Sequence, residues 1–498
     1  MTGRIFMIQL KWINIFLIVP ILLLASLGAA HAATDSLTIT YPLQGAFFPG
    51  DFRSPVFRWQ DTSSATSWRI TFISQESTPR FSVTVIEKNW RPDPSTWGTM
   101  KQNSVADDLV IHIAGLAEGK EQTGSTVVIR TSADPVEAPV FYREVPLPVT
   151  EAIKNLPAIS WRLGWVNQEE PPPVILEKME MCANCHSFDK NGTVMGMDAD
   201  FKGDKGAYVL ADVEKSTRLE DTGVISWSNV KPEPGVRTFG LFANISPDGR
   251  YVASTINDIA VYKMLPDKSY SQLFFPVRGQ LAVYDRGLNK YSVLAGADDP
   301  KYVQTNPVFS PDGKTLVFAK AELLDKSIPV IHFMERKAFF TYDLYRMPFP
   351  NPAATEPIPV TGASGNGTSN YFPRFSPDGK WIVFTQSKGF MIIQPDAQLV
   401  IIPAEGGEPR VMNCNFAGKM NSWHSFSPNG KWLVFSAKSD GPYTQLWLTH
   451  INEDGGDSTP VLLEDFVGPE RAANLPEFVN IQGELLHSIV NNLSSDKP

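Results

Sequence analysis

The chain has 498 residues, enough for about three domains, and 43% of them are hydrophobic, which excludes global disorder. Lys and Arg number 44 against 53 Asp and Glu, a net charge of -9, and this argues against a nucleic-acid binder. Three cysteines exclude a disulfide-stapled fold, while 35 Gly, 40 Pro and 11% aromatics point to strands and turns.

Arg4 and Lys11 precede an apolar run over residues 13–30, and Ala30-His31-Ala32 closes it with a small-x-small pattern. That order is a secretory signal peptide over residues 1–32, with cleavage expected before Ala33. Pro20 and the small residues at its end favour cleavage over a retained anchor, although the run approaches the ~18–20 residues that span a bilayer. No later segment is long and apolar enough to span. The mature chain is expected to have no transmembrane segment and to be periplasmic or otherwise exported to the bacterial envelope.

Residues 33–149 read as short strands between Gly, Pro, Ser and Asp turns, as in Ser67-Trp-Arg-Ile-Thr-Phe72 and Leu109-Val-Ile-His-Ile113. Their alternation predicts an antiparallel sandwich. Trp59 resembles the inward tryptophan of an immunoglobulin or fibronectin-like domain, though no cysteine pair accompanies it. Next, Pro171-Pro-Pro173 precedes a predicted short helix over Val174–Met181, inside a 150–205 segment too small to enclose a core of its own.

That segment contains Cys182-Ala-Asn-Cys185-His186. The spacing is that of c-type haem attachment: two thiols form thioethers with the vinyl groups, and the adjoining imidazole becomes the proximal iron ligand. Zinc would need further ligands, and no second Cys-x-x-Cys supplies them. A redox dithiol would sit in a βαβ context that is missing. For the distal ligand Met195 and Met197 are both in reach, because Asn191-Gly192 lets the chain loop back, and His424 or an open position are the alternatives. Asp198, Asp200 and Asp204 lack EF-hand spacing and read as caps and turns. Cys414 reads as a buried thiol.

Residues 206–498 carry a repeat: Ser246-Pro-Asp-Gly249, Ser310-Pro-Asp-Gly313, Ser376-Pro-Asp-Gly379 and Ser427-Pro-Asn-Gly430, spaced 64, 66 and 51 apart. Each is a strand-turn-strand unit in which Pro presets φ, Asp or Asn bonds back, and Gly accepts a left-handed conformation. Such units stack radially as propeller blades, about five to seven here. Trp381 and Trp432 fall at one repeat position, which packing explains.

These turns after an aromatic residue resemble the TolB-type (PD40-type) β-propeller repeat. Together with Cys182-Ala-Asn-Cys-His-Ser-Phe188, Tyr342-Asp-Leu-Tyr-Arg346 and Arg471-Ala-Ala-Asn-Leu-Pro-Glu-Phe-Val-Asn480, they resemble exported bacterial proteins that join one haem c to a TolB-like propeller. The resemblance implies a mainly β envelope protein with no established reaction, and through the shared Gly196-Met-Asp198 segment it implies Met197 rather than Met195 as the expected distal ligand. The expected function is electron carriage, with the propeller docking a redox partner or envelope assembly. The alternatives are an oxidoreductase with a second site in the propeller, where His332, His424 and His450 are the available imidazoles, and a recognition propeller with a structural or sensory haem.

Overall fold

The computed structural model describes residues 36–73, 79–105, 107–147, 149–179, 183–351, 353–481 and 486–494. The leading apolar segment and Cys182 lie outside the described residues.

Alternation builds the N-terminal part. In Ser67–Ile73 every second residue is buried, turning Trp68, Ile70 and Phe72 inward. One sheet orders strands Leu37–Tyr41, Phe57–Asp61 and Asn89–Trp90. The other orders Ala46–Phe48, Lys120–Thr131, Leu109–Ala117, Ser67–Ile73 and Pro79–Val85, its first pair parallel. Both sheets contribute to one core that includes Phe57, Trp59, Phe72 and Ile111. Trp59 does point inward.

Most of the remaining described residues form six antiparallel four-stranded units, the third and fourth joined by one parallel bridge, Gly279 to Val303, and a separate parallel pair joins Ser216–Leu219 to Ser488–Asn491. Blade 1 combines Val140–Pro146, Ser160–Gly164 and Val174–Glu177 with Arg471–Phe478 as its innermost strand. Blade 2 runs outward through Ala183–Phe188, Val194–Ala199, Ala207–Asp212 and Val224–Ser226. Blades 3 to 6 begin at Asn244–Ile245, Tyr302–Phe309, Ser369–Phe375 and Asn421–Phe426. Each innermost strand touches the next, and Arg471–Phe478 touches both Asn421–Phe426 and Ala183–Phe188, so the ring closes. The closure is a β-propeller, pinned by a late strand completing an early blade.

Two sequence expectations change. The 150–205 stretch is no separate segment: it supplies strands to blades 1 and 2, and the propeller begins at Val140 rather than 206. The helix expected over Val174–Met181 is instead a strand, Val174–Glu177, paired with Ser160–Gly164. A blade edge offers Val174 and Ile175 a ladder, and this overrides the local helical pattern.

The four repeat turns have one geometry. The Ser hydroxyl donates to the Asp or Asn side chain at 2.5–2.7 Å, and each Gly has φ of 70–73°. Blade 6 packs its Trp432 into the N-terminal core, where Trp432 Nε1 donates to Asp134 O at 3.1 Å.

Candidate functional site

The site grows from the innermost strands, where side chains from all six blades meet. Five of these strands break register, between Ala183 and His186, Thr305 and Val308, Tyr371 and Arg374, Ser422 and His424, and Asn474 and Glu477. Phe242, Asn306, Phe372 and Trp423 have φ of 44–60° and each lies four residues before a blade-turn serine. A bulge at that place bends the strand and re-aims its side chains, here toward the axis.

Blade 2 repeats the pattern in disguise. His186-Ser-Phe-Asp-Lys-Asn-Gly192 aligns with His424-Ser-Phe-Ser-Pro-Asn-Gly430 of blade 6. Its turn uses Asp189, whose Oδ1 accepts from Thr193 N at 2.6 Å, and Gly192 at φ 66°. Cys185 and His186 therefore occupy the repeat positions of Trp423 and His424.

Two spaces adjoin there. A narrow axial channel of about 50 Å³ is lined by His186, Asn244, Asn306, Arg374, His424 and Glu477 among others. A cavity of about 870 Å³ opens beside it, and Cys185, Phe242, Trp423 and Leu475 face both. Its apolar walls include Val145, Leu156, Ile159, Phe239 and Phe274, and Arg143, Lys202, Lys205 and Lys438 also line it.

Burial sets the charge states. It pushes the Cys185 thiol well up and the Asp198 carboxyl, which accepts hydrogen bonds from Cys185, up to about 8. Both groups are neutral at pH 7. Burial, assisted by the charges of Arg374 and Arg143, lowers His186 to about 3, so its imidazole is neutral. Its ring stands edge-on to Phe141 at 4.5 Å, its Nε2 lies 3.9 Å from Glu477 Oε2, and its Nδ1 is buried without a partner. Burial also lowers His424 to about 3. His424 Nε2 lies 2.9 Å from Val383 O, and its Nδ1 is likewise unpartnered.

The expected distal ligand does not survive this geometry. Met197 is the direct cross-strand partner of His186 and is fully buried in the core between blades 1 and 2. Directly opposed residues project from the same face of a sheet with Cβ atoms about 5 Å apart. Two such neighbours cannot approach one iron from opposite sides of a porphyrin. Met195 is buried in the same core.

Of the three further histidines, the structure brings only His424 to the site. His332 lies exposed on the short helix Val330–Met334, and His450 pairs with Asp134 at the junction with the N-terminal sheets. Cys414 is buried, its backbone N–H donating to Asp457 at 2.6 Å. Asp204 accepts from Gly206 N and the Ser226 and Ser228 hydroxyls, and Asp200 pairs with Lys205, as caps and turns do. Among the described residues no group of three His, Cys, Asp or Glu could hold a metal ion. Sequence reading missed Arg374, Glu477 and Asn306. Aligning them four or fewer residues before each blade turn would have found the first and last.

Scans of protein-family models and of curated proteins return no match. Solved structures do resemble the chain. TolB from Acinetobacter baumannii has 13% identity and a TM-score of 0.42, over 76% of this chain and 80% of that one. Oligogalacturonate lyase from Vibrio parahaemolyticus has 13% identity and a TM-score of 0.39, over 59% and 70%. A periplasmic gluconolactonase from Pseudomonas aeruginosa has 13% and 0.34, over 64% and 81%. These likenesses are too low to carry an argument, and the propeller rests on the closed ring of this chain's own sheets.

Proposed function

We propose that this chain is an exported c-type haem protein that carries electrons, with haem attached through Cys182 and Cys185 and His186 as the proximal ligand. The observation that carries the reading is the cavity of about 870 Å³ onto which Cys185 opens. Its size falls in the range of roughly 300–1,000 Å³ typical of cofactor pockets. Apolar walls suit a porphyrin, and Arg143, Lys202 and Lys438 in the lining suit its two carboxylates, while Lys205 is paired with Asp200. Haem bound there supplies a reversible one-electron iron couple.

The chain's own residues do the rest. Burial keeps His186 in the neutral form that ligates iron, and its ring hydrogen-bonds the backbone of Leu475. Phe141 and Phe188 hold the imidazole plane edge-on. The leading apolar segment would deliver the chain to the compartment where haem is attached, and the propeller rim would dock a redox partner or envelope assembly. An anaerobic redox titration tests electron carriage: a reversible Fe(III)/Fe(II) couple is expected, and haem-bearing protein without one contradicts the reading.

One observation favours a second reading, an oxidoreductase with its site in the propeller: His424 lines the same channel as His186. Turnover of a small substrate that is lost in His424→Leu would support it. The TolB-like repeat assignment rests on the four shared turns. An immunoglobulin-like reading of the N-terminal part is supported by its sheet orders and by the parallel pairing of Ala46–Phe48 with Lys120–Thr131.

A further inference from the structure

The axial channel holds polar groups that the haem reading does not use. Arg374, on the innermost strand of blade 5, lines it and makes no side-chain hydrogen bond or ion pair among the described residues. Glu477 is the carboxylate that lines the channel with it, and one of its oxygens is taken by Phe188 N at 3.1 Å. Burial pushes that carboxyl up to about 7, so it compensates the guanidinium only in part at neutral pH. Asn306 commits Oδ1 to Phe372 N at 2.7 Å, which leaves its amide N–H groups as donors without a partner among the described residues. The strand bulges hold both side chains in place.

His424 supplies the opposite chemistry. A carbonyl only accepts, so Nε2 must carry the proton it gives Val383 O at 2.9 Å. Nδ1 is then a bare lone pair, buried and unpartnered, on a residue 3% exposed that lines the channel. The channel thus offers a forked cation and an amide donor together with one hydrogen-bond acceptor. A guanidinium prefers a planar oxyanion edge, and the acceptor requires a ligand that brings its own donor. About 50 Å³ of space accommodates three to five water-sized groups at roughly 10–15 Å³ each.

We infer that the axial channel binds a small planar oxyanion bearing a hydroxyl group, of which hydrogencarbonate is the simplest, with Arg374 and Asn306 holding the anionic edge and His424 Nδ1 accepting the hydroxyl proton. This binding needs no haem, so its failure leaves the haem reading intact. Formate is the control, because it presents the same carboxylate edge without the hydroxyl. Calorimetric titration of the full-length protein is expected to give saturable binding of hydrogencarbonate at least tenfold tighter than of formate. Arg374→Gln weakens both anions tenfold or more, and Arg374→Lys, which keeps the charge without the fork, weakens them severalfold. His424→Leu brings hydrogencarbonate down to the affinity of formate and leaves formate unchanged. Melting curves check that each variant is folded, and the wild-type selectivity is decisive even where a variant is not. Absence of saturable binding, equal affinity for the two anions, or selectivity retained in His424→Leu would overturn the inference.

Discussion

At the scale of single residues, two equivalent histidines differ in what surrounds them. His186 packs edge-on against Phe141 and Phe188, whereas His424 donates from Nε2 to Val383 O, and both line the narrow channel, buried and neutral. The proposed attachment needs both thiols. Cys182→Ala or Cys185→Ala is expected to remove two-thioether haem and lower covalent haem content, measured by haem-stained gels and haemochrome spectra. Unchanged spectra in either variant would contradict the attachment. His424 gives a second test through pH. Its folded pKa, about 3, lies below the ordinary 6.5, so the unfolded chain takes up a proton that the folded chain refuses. Its effect on stability is therefore absent above pH 6.5 and grows as pH falls toward 3, reaching at most about 5 kcal/mol at 1.36 kcal/mol per unit. Urea midpoints of the wild type are expected to fall more steeply between pH 6.5 and 4 than those of His424→Leu. Parallel slopes would show that His424 is not held neutral.

At the scale of elements, what could be read from the sequence was local chemistry. Ser-Pro-Asp-Gly turns announce themselves because Pro, Asp and Gly each act within four residues. The blade 2 turn hid because Asp189-Lys190 stands where the others have Ser-Pro, although His-Ser-Phe before it repeats blade 6. Blade 1 hid because its innermost strand, Arg471–Phe478, lies more than three hundred residues from the strand it completes. The bulges that aim Arg374 and Glu477 at the axis depend on neighbouring strands, so no local pattern marks them. Met197 was misplaced for the same reason: loop length allowed it to reach an iron, and strand register forbids it. The register makes a further demand, because a side chain at Gly196 would collide with the fully buried Tyr208 ring on the adjoining strand. Gly196→Ala is expected to destabilise the fold by about 1–3 kcal/mol in urea unfolding, the usual cost of overpacking. An unchanged midpoint would show that this strand pair is looser than described.

At the scale of the whole molecule, the ring is closed by its ends, and the site belongs to the ring. Residues 150–205 carry His186 but only parts of two blades, while the cavity beside Cys185 also draws walls from Phe239, Phe274, Ile392 and Lys438. A fragment of 150–205 is therefore expected to give no native-like haem spectrum, and a chain ending before Arg471 is expected not to fold cooperatively, as judged by thermal melting. A fragment with the full protein's spectrum and potential would detach the site from the propeller. The N-terminal sheets share their core with Trp432 and Leu448 of blade 6, so the two parts are expected to unfold together. The central claim is haem fixed to this propeller through Cys182 and Cys185. Its most direct test is a pyridine haemochrome spectrum of the full chain purified after export from cells able to attach haem c. The account predicts the two-thioether spectrum at one haem per chain, resistant to acid–acetone extraction. Protein that carries no haem, or releases it to acid–acetone, would contradict the claim.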